Sequence, residues 1–312
     1  MPSRRQSPRN PPQLSSGDRV GLVAPASSFN RERLDAGCDA LRKMGYEPVF
    51  EGSIFDREIY FAGSAERRAD EFERMFLRDD IKAVICVRGG YGSNYLLPQL
   101  DIKKIAAHPK IFVGYSDLTT MMNWFGDAAG LVTYHGPMVA ADFNRPEGVD
   151  LDSWHAAVER RSEWRLDFPS GSKVRALRTG SAEGRLSGGC LSILVASLGT
   201  PWEIQTEGSI LFVEDVSTKP YQIDRMLMHL KLAGKLAGVR AIIFGEMLDC
   251  APPPGQKYTL EDVIMRVVGD QKIPVAYGLP SGHVSGSNIT LPMGIDVRLE
   301  ADGSTVLLQQ AD

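Results

Sequence analysis

The chain has 312 residues, 43% of them hydrophobic, with 35 basic against 39 acidic side chains and a net charge of -4. That length and apolar content predict a folded, soluble protein of two domains. The charge balance, with no strongly basic window outside the first ten residues, excludes a concentrated phosphate-binding field and hence nucleic acid as a partner.

Nowhere do about 18 apolar residues follow one another, so no membrane-spanning helix is expected. The four cysteines, Cys38, Cys86, Cys190 and Cys250, stand far apart, with no C-x-x-C pair and no Cys/His cluster at metal-ligand spacing. They read as reduced, partly buried thiols of a cytoplasmic protein, and neither a metal nor a cofactor is predicted.

Residues 1–17 carry positive charge without the apolar stretch of a secretory signal and read as a disordered tail. From residue 18 to 145 strands alternate with helices. "RVGLVAPASS" is followed by a helix with Leu34, Cys38 and Leu41 on one face, stopped by Gly45. A second helix places Ala69, Phe72 and Phe76 together and leads into "IKAVICVRGGYG"; "KIFVGYSD" and "GLVTYHGPM" are further strands. Continuous apolar strands between helices predict an α/β domain with a parallel sheet covered on both faces, and ligands at the carboxyl ends of its strands.

Residues 146–182 are polar and weakly periodic and read as a linker. Residues 183–312 predict a smaller, β-rich α/β domain: the strand "SILFVEDV", a helix with Ile223, Met226, Leu227 and Leu230 on one stripe, the strand "VRAIIFGEM", then short β-like runs separated by Gly, Pro and Asn.

Ser116 lies at the turn between "IFVG" and a helical stripe of Leu118, Met121, Met122 and Phe125. Two readings are open. It is either an N-cap serine followed by an acidic residue, Asp117, or a nucleophile held up from the sheet with the free N–H groups of the helix start beside it. A nucleophilic serine needs a base and a group to orient that base. Among five histidines, His108, His155 and His229 lie in charged, loop-like or polar-helix contexts, whereas His135 and His283 both suit an exposed rim, and the pattern alone does not choose between them. Glu214 and Asp215 end an apolar strand, where a carboxylate needs a partner or a function. "RGGYG" at 88–92 is neither a P-loop nor G-x-G-x-x-G, but its paired glycines let backbone N–H groups approach a ligand closely.

Taken together, "VGLVAPAS", "VRGGYGS", "FVGYSDLT", "TYHGPM", "LSGGCLSILVASLGTPWE", "LFVEDV" with "PYQIDRML", and "GLPSGHVSGSNITLPMG" resemble, in this order, the serine peptidase family of L,D-carboxypeptidases, which also contains the microcin immunity hydrolases. The resemblance implies an α/β N-terminal and a β-rich C-terminal domain with the active site between them. It makes Ser116 the nucleophile, Glu214 the orienting acid and His283 the base, with the backbone N–H groups of Gly90 and Asp117 as the oxyanion hole. Arg88, Gly89 and Tyr91 would contact substrate, Arg88 through a free carboxylate, and His135 would be a site-wall or structural residue. The implied activity is release of the terminal D-alanine from murein tetrapeptide during cell-wall recycling, in the cytoplasm, by a homodimer. The competing expectations are hydrolysis of a microcin-type peptide-nucleotide antibiotic by the same triad, and a non-catalytic two-domain binding protein. One departure is Cys190, in "GGC", where the family usually has asparagine.

Overall fold

The computed structural model describes residues 7–303 and 305–311. In chain order the elements are β1 Arg19–Val23, α1 Arg31–Lys43, β2 Glu47–Val49, α2 Ala65–Leu77, β3 Ile81–Cys86, α3 Ile102–Ala107, β4 Ile111–Gly114, α4 Thr119–Ala129, β5 Thr133–His135 and α5 Leu151–Trp154. There follow β6 Arg165–Phe168, β7 Arg175–Arg178, β8 Gly180–Cys190, α6 Leu191–Ala196, β9 Ser209–Glu214, α7 Pro220–Leu232, β10 Ala241–Gly245, α8 Leu260–Val268, β11 Val275–Leu279, β12 Leu291–Met293, β13 Asp296–Asp302 and β14 Thr305–Gln310. They form two compact units. The first runs up to Ser162 and includes Gly286–Gly294; the second comprises Glu163–Ser285 and the chain from Ile295.

The sheet of the first unit has the order β12-β5-β4-β3-β1-β2. Its five N-terminal strands are parallel, and only β12 runs antiparallel, against β5. The apolar periodicity explains its core: Phe72 and Phe76 on α2 and Phe125 on α4 pack with Phe112 of β4, ring centroids 5.3 to 6.4 Å apart. Each such buried ring stabilises the unit by about 1.5–3 kcal/mol through removal of apolar surface from water. Side-chain caps set the helix starts: Asn30 accepts from the Arg33 N–H, and Ser64 from that of Arg67.

In the second unit the order is β6-β14-β13-β8-β9-β10-β11-β7. The central β8-β9-β10-β11 are parallel, and antiparallel strands flank them on both sides. Leu211, Val213, Ile242 and Phe244 of the sheet bury against Ile223, Leu227 and Leu230 of α7 and Ile264 and Val267 of α8.

Three features depart from the expected division of the chain. Residues 1–6 of the expected tail lie outside the described residues, but from Arg9 the segment is held: its N–H donates to the Gly130 carbonyl at 2.7 Å, and Leu14 is buried. The segment 146–182 is not one linker. It supplies α5, with a fully buried Trp154, to the first unit, and β6 and β7 to the second. Finally, "NITLPMG", expected within the C-terminal domain, returns to the first unit as β12.

Candidate active site

In the first unit, β4, β3 and β1 are neighbours, so the loops at their carboxyl ends emerge side by side. After β3 the turn Arg88–Gly92 is tied to the loop after β1: the Tyr91 N–H donates to Ser27 Oγ at 3.1 Å, and the Ser27 N–H to the Gly89 carbonyl at 3.4 Å. Gly90 has φ +109°, a conformation that an L side chain strains to adopt, and a β-carbon there would strike Ser27. Gly89 lies against the nucleophile candidate itself. A β-carbon at position 89 would sit 2.8 Å from Ser116 Cβ, 3.0 Å from its Oγ and 3.4 Å from the Asp117 nitrogen.

Ser116 follows β4 with φ +64°. A left-handed conformation at a non-glycine residue costs about 1–2 kcal/mol, and such strain collects where function requires it. The cap reading of Ser116 gives way to this geometry. A 3-10 turn, Ser116–Leu118, precedes α4; Tyr115 and Leu118 hold the two N-cap positions, and no side chain caps either start. Nor does Asp117 face water as an ordinary first-turn acid. It is completely buried; its Oδ2 accepts the Ser93 N–H at 2.7 Å, and the Ser93 hydroxyl donates to its carbonyl at 2.6 Å. Burial pushes its carboxyl above the usual range, against the bonds from Ser93.

Around this turn Arg88 is exposed, its Nη1 donating to the Ser28 carbonyl at 3.3 Å, and Tyr91 is 46% exposed beside Tyr60, Phe61 and Tyr95. His135 ends β5 but is only 1% exposed, its ring on Tyr115 at 5.8 Å.

The second unit holds the acid and the histidine. Glu214, fully buried, is the last residue of β9; Gly245 on β10 leaves it room, since a β-carbon there would lie 2.6 Å from Glu214 Cβ. Glu214 Oε2 is 2.7 Å from His283 Nδ1 and accepts the His283 backbone N–H at 3.1 Å. A buried carboxylate at that distance assigns the ring proton to Nδ1 and leaves Nε2 as the basic nitrogen. The His283 loop is held once more at Ser285, whose N–H donates to Glu246 Oε2 at 3.1 Å. Of the Glu214/Asp215 pair, only Glu214 meets the histidine. Asp215 instead accepts the N–H groups of Ser192 and Val216, each at 2.9 Å, and the Thr218 hydroxyl at 2.8 Å. Cys190 is buried beside it, Sγ 3.8 Å from Asp215 Oδ2, and burial, then Glu214 and Asp215, push its thiol well above its ordinary value. Position 190 thus carries a buried thiol rather than the asparagine usual in the resembled family.

Ser116 thus sits with Gly89, Gly90 and Asp117 in one unit, and Glu214 with His283 in the other. Ser27 and Ser93, which fix the glycine turn and Asp117, were not singled out in the sequence; their signal was their place in the strand-end segments "APASS" and "GYGS". A strained serine beside backbone N–H groups suits nucleophilic attack on a carbonyl, and a carboxylate-bound imidazole suits proton transfer. Among the described residues, no group of three or more His, Cys, Asp or Glu side chains is placed to hold a metal ion, and no helix is long and apolar enough to cross a membrane.

Comparison with known proteins agrees with this chemistry. The profile of the LD-carboxypeptidase N-terminal domain matches residues 20–136, and that of the LD-carboxypeptidase C-terminal domain residues 183–299. The chain is 35% identical to a probable murein peptide carboxypeptidase of Bacillus subtilis (strain 168), over 96% of this chain and 94% of that one. It is 30% identical to the microcin C7 self-immunity protein MccF of Escherichia coli, over 95% and 94% respectively. The crystal structure of a muramoyltetrapeptide carboxypeptidase from Oxalobacter formigenes superposes with a TM-score of 0.84 at 30% identity, covering 94% of this chain and 99% of that one. Both domain profiles in their proper order, with relatives matched along nearly the full length, make this chain a member of the LD-carboxypeptidase family, a serine peptidase.

Proposed function

We propose that the protein releases the C-terminal D-alanine from murein tetrapeptide in cell-wall recycling, with Ser116, His283 and Glu214 as its triad. The observation that carries the reading is the His283–Glu214 pair at 2.7 Å, which leaves a basic Nε2 for proton transfer. Ser116 Oγ attacks the carbonyl of the amide that joins the penultimate residue to D-alanine, and its proton passes to His283 Nε2. The charge that forms on the carbonyl oxygen is met by the N–H groups of Gly90 and Asp117. As the C–N bond breaks, His283 returns the proton to the leaving amine of D-alanine. Water then attacks the acyl-serine with His283 again as base, and frees tripeptide and Ser116. Glu214 stabilises the imidazolium at both stages.

The exposed Arg88 is the group proposed to meet the substrate's terminal carboxylate, with Gly89 and Tyr91 lining the same turn. The murein relatives named above favour this substrate. The microcin-type reading needs an aromatic side chain to stack on a base, and two of the four tryptophans, Trp154 and Trp164, are buried at 0% and 4% exposure. Four buried free thiols suit a reducing, cytoplasmic compartment, and a homodimer is the expected assembly, to be checked by sedimentation.

The test is D-alanine release from murein tetrapeptide, its C-terminal amide and a microcin-type conjugate, side by side. Ser116→Ala should abolish release with the fold intact, and Arg88→Ala should erase the preference for the free acid over the amide. Undiminished release by Ser116→Ala would sink the mechanism. Turnover of the conjugate alone would move the substrate to the immunity class.

A further inference from the structure

Arg68 lies in the second turn of α2, on the helical face of Phe72 and Phe76, and is only 2% exposed. An arginine is rarely buried without a task, because its desolvation must be offset by bonds to every donor. Here the guanidinium lies over the Phe61 ring, 4.8 Å from its centroid. Nε donates to the Gly63 carbonyl at 3.1 Å; Nη1 donates to the Pro25 carbonyl and to that of Gly92 at 2.8 Å. Three loops are thus gathered on one side chain: the loop after β1, the loop before α2, and the glycine turn after β3.

Gly92 is the informative contact. Its carbonyl is held by Arg68, and the N–H of the same peptide unit, that of Ser93, by the buried carboxylate of Asp117. Its φ of +126° and the 3.0 Å that would separate a β-carbon from Arg68 Nη1 leave no space for a side chain. The Gly92–Ser93 peptide unit therefore links a buried cation to a buried anion. The anion belongs to Asp117, whose own N–H is one oxyanion donor, and Gly92 lies two residues from Gly90, which supplies the other.

We propose that Arg68 is a positioning residue of the reaction: through Gly92 it fixes the spacing between the Gly90 and Asp117 N–H groups that receive the oxyanion. The inference rests on the Ser116 mechanism above. Because the donors matter when the carbonyl oxygen becomes charged, their misplacement lowers kcat and leaves KM nearly unchanged. Arg68→Lys keeps the charge, but its single nitrogen cannot stand in for the separate Nε and Nη1 donors or for the planar face on Phe61, and it should lower kcat about tenfold. Arg68→Ala should lose about a hundredfold. Guanidinium at low millimolar concentration should restore about a tenth of the wild-type rate to Arg68→Ala by filling the vacated site, and should do nothing for wild type.

Folding is followed by near-UV circular dichroism. Folded Arg68 variants with kcat within twofold of wild type, or with a loss confined to KM, would overturn the proposal, as would a loss that guanidinium does not touch. Should Arg68→Ala fail to fold, Ser93→Ala decides in its place. It removes only the hydroxyl bond to the Asp117 carbonyl and should cost about tenfold in kcat, with Tm lowered by only a few degrees; an unchanged kcat would overturn the inference. Ser116→Ala is measured in parallel. Residual turnover there convicts the nucleophile assignment, whereas a dead Ser116→Ala beside unaffected Arg68 variants convicts the positioning role alone.

Discussion

Gly89→Ala is the sharpest single-atom-group test of the nucleophile's setting. The added methyl carbon would lie 2.8 Å from Ser116 Cβ and 3.0 Å from Oγ, with the Asp117 nitrogen at 3.4 Å. Carbon atoms in contact prefer about 3.5–4.0 Å, so roughly 1 Å must be found between two backbone-anchored groups, neither at the end of a flexible chain. A displacement of about 1 Å at the reacting atom costs about a hundredfold in rate, or about 2.7 kcal/mol in activation free energy. The overpacking itself costs about 1–3 kcal/mol of stability, which leaves a folded protein. The assay is kcat and KM for D-alanine release, with the thermal midpoint of the same samples. Gly52→Ala is the control, because a β-carbon there meets nothing within 4 Å. We expect kcat of Gly89→Ala to fall about a hundredfold while Gly52→Ala matches wild type. Full activity in Gly89→Ala would refute the placement of Ser116 against this turn.

Replacing Glu214 by Gln keeps an acceptor for the His283 backbone N–H but removes the charge that supports the imidazolium; kcat should fall by about 10³–10⁴-fold with the fold retained, and a rate within threefold of wild type would remove Glu214 from the triad. Away from the site, Glu203 accepts from Lys235 at 2.8 Å and from the Gly199 N–H at 2.9 Å, and the Lys235 ammonium first, then that N–H, hold its carboxyl below the ordinary 4.5. A depressed folded-state pKa gives stability that is present above pH 4.5 and lost as pH falls through the folded value. Glu203→Gln should therefore lower stability by up to about 1 kcal/mol at pH 7, and the difference should shrink as pH falls below 4.5; a gap that does not shrink in acid would contradict the ion pair.

The order of strands and helices in the first unit was readable because β1, β3 and β4 are buried on both faces and so appear as unbroken apolar runs. The edges were not. In β7, "RALR", arginines stand at both ends, as suits a strand with one side unpaired, and the segment looked like linker. β12 has only three residues, and nothing local tells "LPM" which sheet it joins; pairing with β5 is a long-range choice. In the site, the histidine choice could not be made by pattern, because His135 and His283 both follow apolar runs among glycines. Burial of the first and the Glu214 contact of the second separate them. Arg68 did leave a trace, as a charged residue on the stripe otherwise formed by Phe72 and Phe76, but only the folded loops show what it gathers.

The return of Gly286–Gly294 to the first unit bears on the order in which the protein is made. The sheet that carries Ser116 lacks its β12 edge until residue 293 has left the ribosome, and by then Glu214 and His283 have already been synthesised. During translation β5 presents an unpaired edge through the whole time that the second unit is being added. The unit bearing Ser116 therefore reaches its final form only after Glu214 and His283 have been made, so a prematurely terminated chain would carry Ser116 without the strand that closes its sheet.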